Sequence, residues 1–206
     1  MTKMVDVIRK TIIAFCLEFV RDPYLCYTEH GQHALFYSML FNALSEQQRY
    51  LSWKEKKVCV LQKEFPTAGK LGKPQRQHWD IAVLKNPPES IEVNNSYDYL
   101  KLLSVIEFGM NEGKEHLEDD IVRLCHSEAN LEHGFIVHLY RLSESGKPFS
   151  GRDWSPKSPR ILTVEEVQEL SVGKSIEIFY GMTDSTRTHE AGVWNIKSGL
   201  MSKIKQ

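Results

Sequence analysis

The chain has 206 residues, with 26 basic against 27 acidic side chains, a formal net charge of -1, 41% hydrophobic and 26% charged residues. That is the make-up of a soluble globular protein long enough for one core and too short for two comfortable ones, so residues 1–206 are read as a single α/β domain. It excludes a globally basic nucleic-acid binder, although a local basic groove stays open.

From about Met4 to Val20, apolar residues recur at Val5, Ile8, Ile12, Phe15 and Phe19, the stripe of an amphipathic helix over residues 4–20. Arg21-Asp22-Pro23 ends it. A second helix is expected from Thr28, whose hydroxyl can cap free amides, through Leu44. Positions 29, 33, 36 and 40 share one face, so Glu29 and His33 lie with Phe36 and Leu40 toward the core.

Val58 to Phe65 reads as a strand that includes Glu64, closed by Pro66. A loop over residues 67–77 carries Lys70, Lys73 and Arg76, and leads into a strand from His78 to Leu84 that contains Asp80. Leu100 to Phe108 is the most apolar strand, and Glu107 stands near its end. An ionised acid in such a run is costly to desolvate, so it calls for a metal, a cation or a chemical role. Lys114 to Glu128 then has Leu117, Ile121 and Leu124 at helical spacing, and Gly134 to Tyr140 is the next strand. Strand, helix, strand implies a right-handed crossover between parallel neighbours.

Residues 143–160 read as a long loop with Arg152, Trp154, Lys157 and Arg160. Thr163 can cap a short helix with Glu166 as its capping-box partner, and residues 175–180 and 191–196 form a closing strand pair. Apolar runs break well before the roughly 20 residues of a membrane span. The opening Met1-Thr2-Lys3 is not that of a signal peptide, and Cys16, Cys26, Cys59 and Cys125 form no CxxC pair. A cytoplasmic protein with reduced thiols and no membrane partner is expected. His30 and His33 are three apart, the other histidines have no ligand spacing, and core or surface roles are assigned to all.

If the strands of Asp80 and Glu107 are neighbours, their carboxylates can converge on one hard cation of the magnesium kind. A helical Glu, a strand Asp, a strand Glu and a helix carrying Asp120-Ile121-Val122-Arg123-Leu124, spread over about residues 25–142, together resemble the PD-(D/E)XK nuclease superfamily. The resemblance implies a restriction-endonuclease-like core, a mixed central sheet flanked by helices, with residues 143–206 as a C-terminal loop, helix and strand extension. It makes Asp80 and Glu107 ligands of Mg2+, with Mn2+ as substitute, and Glu29 an assisting acid. Glu64, Asp120 and Arg123 are implied as support.

The family's lysine would stand at Gly109, and Lys114 is the candidate to replace it. Lys70, Lys73, Arg76 and Arg152 are candidate phosphate contacts. The expected activity is metal-dependent hydrolysis of phosphodiester bonds in DNA, with RNA and self-association left open. The rival reading is a catalytically inactive nuclease-like module that binds nucleic acid or a protein.

Overall fold

A computed structural model describes residues 2–53, 55–85, 101–142, 160–183 and 191–205. Five helices and nine strands are found among them: α1 (Thr2–Arg21), α2 (Glu29–Ala43), α3 (Glu46–Arg49), β1 (Tyr50–Trp53), β2 (Lys56–Cys59), β3 (Leu61–Pro66), β4 (His78–Leu84), β5 (Leu102–Met110), α4 (Lys114–Leu124), β6 (Leu131–Tyr140), α5 (Val164–Ser171), β7 (Ile176–Met182), β8 (Gly192–Lys197) and β9 (Leu200–Ile204).

The apolar stripe of α1 forms as its spacing dictates, and Val5, Ile8, Ile12, Phe15 and Phe19 are all buried. Thr28 caps α2 by accepting the Gly31 amide, and Gln32, His33, Phe36 and Leu40 make its inner face. α5 opens on the Thr163–Glu166 capping box. The strand expected over Val58–Phe65 is divided: residues 56–59 pair with β1 in a two-stranded hairpin, and residues 61–66 enter the main sheet. α4 ends at Leu124, four residues short of the expected Glu128.

Seven strands form the main sheet in the order β3-β4-β5-β6-β7-β8-β9. β4 runs antiparallel to both β3 and β5, β5 to β7 run parallel, and β7, β8 and β9 are joined by antiparallel pairs. α1 and α2 cover one face, where Ile81, Val83, Ile106, Phe108, Val137 and Phe179 join their apolar residues. α4 and α5 cover the other, over Ala82, Val105, Ile136, Ile178 and Tyr180. Helices on both faces explain why β5 is buried from Leu102 to Gly109 and reads as a continuous apolar run. The parallel β5/β6 pair needs a crossover, and α4 supplies it. No helix among the described residues is long and apolar enough to cross a membrane.

Candidate functional site

The site forms where β4 stops pairing with β5. The last antiparallel partners are Ile81 and Ile106, so beyond them the β5 amides that face away from β6 have no β4 carbonyl to donate to. Two carboxylates take their place. The Phe108 amide donates to Asp80 Oδ2 at 2.8 Å, and the Met110 amide donates to Glu29 Oε2 at 3.1 Å. Acids 51 positions apart along the chain are thus fixed by alternate amides of one strand, and Glu107 directly precedes those two amides on β5.

Asp80 and Glu107 stand close enough for each carboxyl to act on the other. Burial, with Asp80 and Asp120 beside it, pushes the Glu107 pKa well above the usual carboxylate range. Burial also raises the pKa of Asp80 and of Glu29. Asp120, a fourth acid and a buried one like Glu107, reaches in from α4.

Cationic support comes from α4. Arg123 Nη2 lies 2.6 Å from Asp120 Oδ1 and 3.3 Å from Glu107 Oε2, its Nη1 donates to the His78 carbonyl at 3.3 Å, and its guanidinium lies over Trp79. His116 Nδ1 stands 3.3 Å from Asp120 Oδ2, and that carboxylate holds the imidazole pKa up at about 9, so the ring is charged at neutral pH. Four carboxylates against two cations leave a deficit of two positive charges when all four ionise. The donor set is all oxygen, and Glu107 Oε1 is buried with no hydrogen-bond partner. Both features fit a hard divalent cation.

Gly109 and His138 are cross-strand partners in the parallel β5/β6 register. A Cβ on Gly109 would stand 2.9 Å from His138 Nδ1 and 3.4 Å from His116 Nδ1, so two imidazoles fill the space that a side chain at position 109 would need. Tyr140 donates its hydroxyl proton to the Glu112 carbonyl at 2.7 Å, so it accepts from His138 Nε2 at 3.2 Å. That leaves Nδ1 as a bare lone pair. Burial, with charged His116 nearby, pushes the His138 pKa down to about 4. Nothing in the one-dimensional spacing of His116 and His138 announces this meeting, because it depends on strand register and helix placement.

Lys114 differs from its expected orientation. It occupies the first turn of α4, half its side chain is exposed, and its Nζ lies 3.5 Å from Glu118 Oε1. No ion pair joins it to Glu29, Asp80 or Glu107 among the described residues. Glu64 stands on β3 beside His30 and His33. Lys73 pairs with Asp119 of α4, Arg76 Nη2 donates to the Ala68 carbonyl at 3.5 Å, and Lys70 is exposed on the same loop. Arg152 lies outside the described residues.

Arg141 fixes the approach to Glu29. Its buried guanidinium donates to the Cys26 carbonyl at 2.5 Å and the Tyr27 carbonyl at 3.2 Å, and packs against Phe19, Tyr24 and Tyr27. The turn that ends at Thr28 is thereby tied to the strand beside the site. No family model, curated protein or solved structure matches the chain.

Proposed function

We propose that the protein is a metal-dependent phosphodiesterase of the PD-(D/E)XK kind that cleaves DNA, with a restriction-endonuclease-like core made of α2, β3, β4, β5, α4 and β6. The observation that carries the reading is the meeting of Asp80, Glu107 and Glu29 at the end of β5, where the Phe108 and Met110 amides hold Asp80 and Glu29 beside Glu107. Glu29 on α2, Asp80 on β4, Glu107 on β5 and Asp120 with Arg123 on α4 follow the order of elements on which the sequence resemblance rests.

Asp80 and Glu107 would hold Mg2+ or Mn2+, which would polarise the phosphodiester and lower the pKa of an attacking water. Glu29, fixed by the Met110 amide, accepts a proton from water or binds a second ion through water. Arg123 keeps Glu107 and Asp120 in place. His116, rather than Lys114, supplies the positive charge that a lysine at position 109 would bring, since its imidazolium lies among Glu29, Glu112 and Asp120. Lys70 and Arg76 share the loop over residues 67–77 and are assigned to the DNA backbone with Lys73.

The test incubates the protein with plasmid, single-stranded DNA and RNA plus Mg2+ or Mn2+, alongside Asp80→Asn and Glu107→Gln. DNA cleavage lost in both variants is the expected result. Binding without cleavage under either ion would instead establish the inactive module, the reading favoured by the glycine at position 109.

A further inference from the structure

The only described group of three His, Cys, Asp or Glu residues whose ligand atoms lie within 4.8 Å of one another is not the acid cluster but His30, His33 and Glu64. His30 and His33 stand three apart on α2, on one side of the helix, with ring centroids 5.6 Å apart. Glu64 comes from β3. We propose that these three side chains form a separate cation site, built for a borderline divalent transition metal of the zinc class.

His33 is the first independent support. Its side chain is 1% exposed, it packs 4.9 Å from the Phe108 ring, and neither ring nitrogen has a hydrogen-bond partner. Two orphaned nitrogens on one buried ring are unusual, since buried polar atoms are nearly always satisfied. The nearest charged group, Asp80 Oδ2, is 3.8 Å from Nε2, too far for a hydrogen bond.

The backbone of Glu64 is the second. Its φ is +52°, in the left-handed region that residues other than glycine rarely adopt. The strain falls where the β3/β4 register passes from the Lys63–Ile81 pair to the Phe65–Trp79 pair. A regular strand would need no such kink, and the kinked residue is the one that meets the two histidines.

Two imidazoles and one carboxylate make the three-ligand set of an open zinc site, and nitrogen donors disfavour magnesium and calcium. Ligands of a tetrahedral zinc lie about 3.4 Å apart, so the group must contract by a little over an ångström. His30 and Glu64 are exposed and free to close on the fixed His33. Lys63, with its Nζ 4.0 Å from Glu64 Oε1 on the surface, yields its place to the ion. The proposal does not rest on the nuclease reading.

The test is run in an Asp80→Asn, Glu107→Gln background, which removes both proposed ligands of the acid cluster as a competing site. Chelator-treated protein is dialysed against Zn2+ and its metal content measured, and Co2+ is then substituted to record its visible absorption. One ion per chain, bands of four- or five-coordinate Co2+, and no displacement by excess Mg2+ are expected. Adding His30→Gln or Glu64→Gln, both at exposed positions and each checked by thermal melting, is expected to weaken binding by more than about a hundredfold, beyond the loss typical of an outer partner. Absence of zinc in the background protein, displacement by Mg2+, or equal affinity after either added substitution overturns the proposal.

Discussion

His138 occupies the space that a side chain at Gly109 would take: an added Cβ would sit 2.9 Å from its Nδ1, and the ring cannot withdraw, because it is fully buried against Tyr140 and Tyr180. Gly109→Ala is therefore expected to destabilise the protein by about 1–3 kcal/mol, the usual range for overpacking. Adding His138→Ala should recover part of that loss. Chemical denaturation of the two single variants and the double variant measures the coupling, and strict additivity would show that the two positions do not compete for space.

The Glu107 carboxyl links stability to pH in a definite direction. Its folded pKa is raised, so between the unfolded value of about 4.3 and the folded value the native state binds more protons than the unfolded chain. Its contribution is complete below that window and is lost as pH rises through it. Gln lacks the titration, so Glu107→Gln is expected to stabilise the metal-free protein at pH 8 by about 1–3 kcal/mol, with the difference shrinking toward pH 4. Thermal melts of both proteins across that range give the curve, and a variant less stable at pH 8 contradicts the assignment.

Binding of a divalent ion to Asp80 and Glu107 must displace the proton that the raised Glu107 pKa retains. Mg2+ affinity is therefore expected to rise with pH, with proton release of up to one per ion. Calorimetry in buffers of different ionisation enthalpy reads that release directly. In Glu107→Gln the proton release should vanish.

Far from the site, Arg9 of α1 grips Glu177 of β7 through two parallel hydrogen bonds, Nε to Oε1 at 2.9 Å and Nη2 to Oε2 at 3.0 Å, and Asn195 Nδ2 donates to Oε1 at 2.7 Å. Burial alone would raise the Glu177 pKa, but the hydrogen bonds from Arg9 and Asn195 outweigh it and hold it below the usual value. Stability from this group is thus present above the unfolded pKa and is lost as pH falls through the folded one. Arg9→Ala leaves Glu177 buried with Asn195 and the more distant Lys197, and is expected to cost about 2 kcal/mol at pH 7, less at pH 3. Arg21→Ala, at the exposed Glu18 pair, should change stability by under about 0.5 kcal/mol in the same denaturation assay.

Local signals were enough wherever one element determines its own bounds. The α1 stripe, the Thr28 and Thr163 caps and the strand His78–Leu84 follow from period, capping chemistry and flanking turn residues, all of which act over a few positions. Shorter or more polar strands escaped for the same reason: Tyr50–Trp53 and Leu200–Ile204 are made by their partners β2 and β8, and their own pattern is weak.

Sequence alone determined that Asp80 and Glu107 would be acids embedded in strands, because desolvation makes such placement costly without a use, and this is visible residue by residue. Only the tertiary structure decided what stands around them. The in-register parallel pairing of β5 with β6 sets His138 against Gly109, α4 turns His116 and Arg123 inward and Lys114 outward, and the kink at Glu64 turns it toward His30 and His33. Each of these depends on strand register or chain reversal between distant segments, and a one-residue shift in either would separate the groups while leaving every local pattern unchanged.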